Sequence, residues 1–382
     1  MRNRTSWIVT TVGLLVGSLC QAFLVHPNLS RQSGLSAEKL NKGFNLLELA
    51  GGLIPQGVIV QTVSESWKLA WKTMMVELAP QDKQGNYQRP SYSFSSKAAP
   101  PLDFEKGHYH LYVGNPCPWC HRTLLALLYL ELDDISVTRL QDNPKQASRG
   151  GWIFSATQPD RLFGGCRDLR ELYETLSPGF QGRCTAPLLV NVRSQTIVSN
   201  ESSEIVQLWN DAARKKYGMN SPKNLYPEEK RREINEINEW VYNLINNGVY
   251  RCGFATTQTA YNEASTDVRA GLERCNRILS SNRYLCGDQF TVTDLRLLPT
   301  ILRFDGAYAP LFRAGGGHTR IRDYPHLHAW LRRCWKEYPA VSQSIDLADA
   351  CTSYFAQLFP LNPSGIVPSP PVTAKLLGLE DD

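Results

Sequence analysis

The sequence has no large excess of either charge: 41 Lys and Arg against 36 Asp and Glu leave a formal +5 on 382 residues. So small and evenly spread an imbalance is no electrostatic footprint for nucleic acid, and the expected partners are small molecules. Ten cysteines in so long a chain make no dense disulfide framework. No apolar run approaches the roughly 20 residues needed to cross a bilayer, and no internal repeat is visible. A composition of 42% hydrophobic and 20% charged residues excludes collagen, coiled coil and wholesale disorder. What is left is a globular chain longer than one hydrophobic core usually organises, hence two packed domains with extensions.

Arg2 and Arg4 precede an apolar run from Trp7 to Val16, followed by Gly17, Ser18 and the small-x-small pattern Cys20-Gln21-Ala22. This predicts a signal peptide over residues 1–22. Residues 23–43 begin at Phe23 and hold Ser30, Arg31, Ser33, Ser36, Lys39 and Lys42 against Glu38, a transit-peptide composition. Together the two segments resemble the bipartite plastid presequence of algae with secondary plastids. A plastid location without a stable membrane span after processing is expected, with the secretory pathway as the alternative. Secretion fits poorly with an unpaired, reactive thiol, because oxidising compartments tend to lock thiols up.

Residues 44–107 read as a short helical extension, with Trp67 and Trp71 four apart on one helical face, and then a loop rich in Pro, Ser, Lys and Gln. Over 108–212 strands alternate with helices. His108 to Val113 alternates polar and apolar residues, Thr123 to Leu132 is a leucine-rich helical run, and Ile135 to Leu140 alternates again. A helix follows near Asp168 to Thr175, then strands at Pro187–Val192 and Thr196–Ser199, and a closing helix from Glu201 to Asn210. That interleaving implies a small α/β domain. A polar linker is expected at 213–230. Over 231–359 the period becomes helical, with Ile234, Ile237, Val241, Leu244 and Ile245 on one stripe and Tyr261, Ala264, Val268, Leu272, Cys275 and Leu279 on another. Thr291 and Asp294 form a capping-box pattern ahead of the next helix. The proline-rich residues 360–382 are expected as extended coil.

Chemistry concentrates at Cys117-Pro118-Trp119-Cys120-His121-Arg122, where a strand hands over to a helix and Pro118 is placed as the first helical residue. A sulfur there faces unpaired amide N–H groups and the positive end of the helix dipole, both of which favour thiolate over thiol. Cys117 is therefore the expected nucleophile, with Cys120 about one turn deeper. The surrounding βαβ pattern is that of a thioredoxin-like thiol site. The spacing also spells a c-type haem attachment signature. That use would require the motif to link a cofactor while starting a helix in an α/β domain. Zinc binding would need a second Cys/His pair with ligand spacing, which is not visible; no metal is expected. His108, His110, His326 and His328 alternate in pairs, as on a strand face or a solvated helix. Cys166, Cys184, Cys252, Cys275, Cys286, Cys334 and Cys351 have no partner spacing and suit buried thiols. Asp294 suits a cap better than a catalyst.

Five blocks, in order, resemble the glutathionyl-hydroquinone reductases, the Xi class of glutathione transferases, which are omega-like. They are Asn115-Pro116-Cys117-Pro118-Trp119, Gly151-Trp152-Ile153-Phe154, Ser199 to Ile205, Asn246 to Arg251, and Arg303-Phe304-Asp305. The likeness runs from about His108 to Val367. It implies a thioredoxin-like α/β domain followed by an all-helical domain, glutathione as cosubstrate, glutathionylated hydroquinones as substrates and a homodimer. It also implies Cys117 as nucleophile and Glu201 with Ser202 at the γ-glutamyl end, a helix start where amide, hydroxyl and carboxylate can meet an amino acid headgroup. Trp152 would cover glutathione. The segment Arg183-Cys184-Thr185-Ala186-Pro187 would bind its cysteinyl part through the Ala186 backbone beside a cis proline. Tyr250, Tyr308 and Tyr354 would donate hydrogen bonds to the quinol oxygens and the leaving centre.

The resemblance implies that Cys117 attacks the glutathione sulfur of a glutathionyl-hydroquinone and that a second glutathione releases oxidised glutathione. One departure stands out: the family usually carries a small non-thiol residue where this chain has Cys120. A dithiol, glutaredoxin-like or dehydroascorbate-reducing route through Cys117 and Cys120 is the alternative. A non-catalytic glutathione- or quinone-binding module is a second alternative, although such a module needs no thiol at a helix start.

Overall fold

The structure, a computed structural model, describes residues 55–90, 94–95, 107–148, 150–218 and 221–380. The expected signal peptide and transit segment lie outside the described residues. The chain divides into two compact units, residues 1–72 and 73–382. The first contains the start of helix α1 (Gln56–Leu78), so Trp67 and Trp71 share a helix as their spacing predicts. In the second, residues 81–87 of the expected loop close on themselves. Gln81 and Tyr87 form an antiparallel bridge, and Asp82 accepts the Gln84 and Asn86 N–H groups at 2.9 Å inside it.

The α/β domain follows. Strand β1 (Tyr109–Gly114) leads into α2 (Pro118–Tyr129), β2 (Ser136–Asp142), β3 (Trp152–Ile153) and α3 (Leu169–Leu176). Strands β4 (Leu188–Asn191) and β5 (Thr196–Ser199) lead into α4 (Ser202–Tyr217). The sheet order is β3-β2-β1-β4-β5, with β1 parallel to β2 and antiparallel to β4. Every residue of the central β1 is buried. His110 sits there with Nδ1 2.6 Å from Ser136 Oγ and Nε2 2.9 Å from Thr138 Oγ1. Burial lowers its pKa to about 4, so it is a neutral core residue. The two-residue β3 carries no periodicity for a sequence reading to detect.

Helix α2 is buried almost throughout because it is covered from two directions. Helix α4 packs on it from its own domain, where Trp209 Nε1 donates to the Thr123 carbonyl at 3.2 Å. Helices α8 and α11 pack on it from the helical domain, so the two domains share this helix. The helical domain comprises α5 (Arg231–Trp240), α6 (Gly248–Phe254), α7 (Gln258–Ile278), α8 (Val292–Arg303) and α9 (Ala309–Phe312). It continues with α10 (Pro325–Glu337), α11 (Pro339–Gln343) and α12 (Leu347–Gln357). Wider π-helical turns occupy Val241–Asn246, before α6, and Phe304–Tyr308, after α8. Such turns re-aim the side chains that follow them.

Two expectations need correction. Helix α4 does not stop at Asn210, and the linker does not begin at 213; the helix runs to Tyr217 and ends at Gly218 with φ +90°. Buried Trp209, Ala212 and Ala213 prolong its apolar stripe. Arg214, Lys215 and Lys216, which look like linker in sequence, complement the negative end of the dipole. The remaining linker is itself interrupted by a single turn at Glu228–Lys230. Nor is the tail simply extended: residues 373–379 turn back, Leu379 is fully buried, and His328 Nε2 meets the Leu377 carbonyl at 3.0 Å. Its scattered apolar residues find a surface that proline content does not reveal.

The capping box is present, and its acid does more than cap. Asp294 accepts from the N–H of Leu285 at 3.0 Å, the N–H of Thr291 at 3.1 Å and the Trp330 indole at 3.0 Å, all buried. Replacing Asp294 with Ala orphans three buried donors. The expected loss is about 3 kcal/mol of stability, read as a lower urea midpoint with an unchanged slope.

Candidate active site

The strand-to-helix turn at the end of β1 builds the site. Cys117 is the N-cap of α2, with φ −73° and ψ 118°, and its sulfur accepts the Cys120 N–H at 3.4 Å. Pro118 at the first helical position sacrifices no donor, since its N–H would be unpaired there anyway. In its thiol form Cys117 points at the Ala186 carbonyl, 3.8 Å away across the Ala186–Pro187 cis peptide. The residue is half-buried. Burial alone would raise its pKa. The Cys120 thiol and N–H, the Trp119 N–H and the Arg303 guanidinium together outweigh that and bring it down to about 7. Cys120 moves the opposite way: burial, and the sulfur of Cys117 beside it, hold it firmly protonated.

Arg303, at the C-terminal end of α8, is fully buried and crosses between the domains. Its Nε donates to the Pro116 carbonyl at 2.9 Å and its Nη2 to the Asn115 carbonyl at 2.7 Å. Its Nη1 donates to the Pro299 carbonyl and to His121 Nδ1, both at 2.9 Å. His121 is thereby an acceptor at Nδ1 and meets Ser344 Oγ through Nε2 at 2.8 Å. Burial and then the Arg303 charge keep the ring neutral. The histidine of the Cys-x-x-Cys-His pattern is thus a bracket inside the fold. Asn115 adds a second tie to the helical domain, donating to the Asp346 carbonyl at 2.9 Å and to Asp349 at 2.6 Å. Arg303 was visible in sequence only as part of a family block, because its work depends on contacts nearly two hundred residues away.

The three expected tyrosines come together. Tyr354, on α12, shares hydrogen bonds with Tyr250 Oη at 2.8 Å and Tyr308 Oη at 2.9 Å. Tyr250 follows one π-helical turn and Tyr308 closes the other. Burial raises the pKa of all three, Tyr308 to about 12, so all remain hydrogen-bond donors at neutral pH. The Cys117 sulfur is near enough to oppose ionisation of Tyr250 and Tyr308 further. Trp119 links the motif to this cluster, stacked on Tyr250 with centroids 6.2 Å apart and 27° between planes. Two arginines to which the sequence reading gives no role approach the Trp119 ring: Arg89 at 3.7 Å and Arg122 at 4.4 Å from its centroid.

The remaining expected residues lie around the same turn. The Trp152 ring packs on Gly114 so closely that a Cβ there would lie 2.0 Å from it, and only glycine fits at the end of β1. Glu201 is the N-cap of α4, taking the Ser203 N–H and hydroxyl at 2.9 Å each and the Ser202 hydroxyl at 3.4 Å. Thr185 is fixed by Tyr173, whose hydroxyl donates to its carbonyl at 2.9 Å, and by Asn200, whose Nδ2 donates to its Oγ1 at 3.3 Å. The loop bearing Ala186 and the Glu201 helix start are therefore braced together. Arg183 is exposed and donates to the Leu78 carbonyl at 3.2 Å, while the Cys184 side chain is buried. Among the described residues no three His, Cys, Asp or Glu side chains converge as a metal site, and no helix is long and apolar enough to span a membrane.

Residues 116–212 match the glutathione S-transferase N-terminal domain and residues 258–333 the glutathione S-transferase C-terminal domain. The glutathionyl-hydroquinone reductase YqjG of Escherichia coli is 38% identical over 271 residues, covering 69% of this chain and 79% of that one. The crystal structure of the glutathione S-transferase Xi from Phanerochaete chrysosporium superposes with a TM-score of 0.69 at 37% identity, over 76% of this chain and 95% of that one. The glutathione-bound structure of YqjG gives 0.65 at 35% identity, over 76% and 95%. A thiol at a helix start in an α/β domain, closed by an all-helical domain, defines the class, and the chain belongs to the glutathione S-transferase family. Its likeness to both relatives places it in the Xi class of these enzymes.

With its pKa depressed, the Cys117 thiolate is present above about pH 7 and lost below it. The rate of Cys117 alkylation by iodoacetamide should rise through a midpoint near 7, where an ordinary cysteine titrates near 8.5. Arg303→Gln should move that midpoint upward; an unmoved profile would remove Arg303 from the electrostatics of the site.

Proposed function

We propose that the protein reduces glutathionyl-hydroquinones to hydroquinones at the expense of glutathione. The observation that carries the reading is a Cys117 sulfur held ionised near neutral pH within electrostatic reach of a hydrogen-bonded trio of protonated tyrosines. The name of the Escherichia coli relative and its glutathione-bound structure support the same substrate pair.

In the proposed cycle the Cys117 thiolate attacks the sulfur of the glutathionyl substituent. The bond between that sulfur and the quinol carbon breaks, its electron pair stays on carbon, and the carbon takes a proton. Cys117 is left as a mixed disulfide with glutathione, which a second glutathione thiolate attacks to release oxidised glutathione and the Cys117 thiolate. The tyrosines suit the first step. Their raised pKa values keep them as donors to the quinol oxygens while negative charge develops on the ring, and the chain through Tyr354 allows a proton to be passed on.

Glutathione would lie along the braced rim of the thiol turn. The Ala186 backbone would pair with its cysteinyl part, Trp152 would cover it, and the Glu201–Ser202 helix start would receive the γ-glutamyl headgroup. Buried, protonated Cys120 is a poor competitor to glutathione for the mixed disulfide, which favours the monothiol route over a dithiol one in turnover.

Turnover of a glutathionyl-hydroquinone, compared with hydroxyethyl disulfide and dehydroascorbate on the same preparation, tests the assignment. The first should be preferred by at least about tenfold in kcat/KM, equivalent to about 1.4 kcal/mol of transition-state stabilisation. Cys117→Ala should abolish all three activities. Tyr354→Phe should lower kcat for the hydroquinone substrate by about 10- to 100-fold while leaving disulfide reduction nearly intact. Equal losses on both substrates would take the tyrosines out of the quinol chemistry.

A further inference from the structure

We propose that Cys117 and Cys120 form a reversible oxidation site, at which a hydroperoxide oxidises Cys117 and Cys120 then closes an internal disulfide. This rests on the proposed role of Cys117 as nucleophile and gives a role to the thiol that the proposed turnover does not use.

The geometry comes from the helix. Three residues along an α-helix separate Cα atoms by about 5 Å, from a 1.5 Å rise per residue and a 2.3 Å radius, and disulfides bridge separations of about 4.4–6.8 Å. Cys117 as N-cap is only half inside that helix, which leaves its side chain free to swing toward Cys120 without unwinding a turn. The two residues already meet: the Cys120 N–H lies 3.4 Å from the Cys117 sulfur. Cys117 is half-buried and within reach of a small oxidant, whereas Cys120 is only 1% exposed.

The chemistry balances. The Cys117 thiolate displaces alkoxide or hydroxide from the peroxide, giving a sulfenic acid and, with one proton, an alcohol or water. The Cys120 sulfur then attacks the sulfenic sulfur, its thiol proton leaves with the hydroxyl as water, and the disulfide forms. Two glutathione molecules return both thiols and depart as oxidised glutathione. When glutathione is plentiful it traps the sulfenic acid first and produces the mixed disulfide already on the catalytic cycle. When glutathione is scarce, Cys120 is the neighbour that stops Cys117 from proceeding to sulfinic acid, which thiols do not reverse.

The test uses the full chain, reduced and freed of glutathione, exposed to hydrogen peroxide, quenched with N-ethylmaleimide and examined by intact mass and peptide mapping. The wild type should lose two alkylatable thiols to a Cys117–Cys120 linkage and regain them with dithiothreitol. Cys120→Ala, and Cys120→Ser should the first fold poorly, should accumulate Cys117 sulfinic acid about tenfold faster. Sulfinic acid forming in the wild type as fast as in the variants, or Cys117 pairing with another cysteine, overturns the proposal. The mapped linkage in the wild type decides the matter even without a variant. Because no hydroquinone enters the measurement, failure of the oxidation site and failure of the proposed turnover are told apart: either can be lost while the other stands.

Discussion

The Cys117 sulfur ionises near neutral pH because the Cys120 thiol and N–H and the Trp119 N–H at the start of α2 outweigh its burial, and the turn before them is tied to the helical domain. Arg303 is what holds that turn. One guanidinium grips the carbonyls of Asn115 and Pro116, locks His121 as a neutral acceptor, and adds its own positive charge. A buried cation is expensive unless its donors are satisfied, and here four acceptors surround it. The arginine comes from the helical domain and the sulfur from the α/β domain, so contact between the domains adds to the acidity of the sulfur.

The two domains divide the chemistry in a related way. The α/β domain contributes rigid backbone: a glycine that lets Trp152 close over the strand end, a braced loop at Ala186 and a helix start at Glu201. The helical domain contributes side-chain hydroxyls, brought together by two π-helical turns that re-aim Tyr250 and Tyr308 onto Tyr354. Neighbouring cysteines are driven apart by the same surroundings. The half-buried one accepts the Cys120 N–H and ionises near neutral pH, while the buried one stays protonated.

Much of this was legible in the chain. The strand, turn and helix around Cys117 follow from alternation, Pro118 and a leucine run, and each predicted strand of the α/β domain is present within a residue or two. The stripes through Ile234 and Val268 mark real buried faces. Where structure and sequence pattern differ, polar composition hides ordered structure. Arg214 to Lys216 are the solvated last turn of α4, and the proline-rich tail anchors itself through Leu379. Arg89, Arg122 and Arg303 carry no local signal of their own, because an arginine in a sequence looks solvated until something is known to cover it.

Sequence alone determined the location and polarity of the thiol, since an N-cap cysteine followed by proline is a local arrangement governed by backbone amides within one helical turn. It also determined the two-domain plan, because periodicities of 2 and 3.6 are written in neighbouring residues. Tertiary structure decided the strength of the site: how far the sulfur is acidified, which tyrosines meet, and which of two cysteines is shielded. Those depend on burial and on charges and hydrogen-bond partners that lie far apart along the chain, and such energies exist only once the domains have closed on each other.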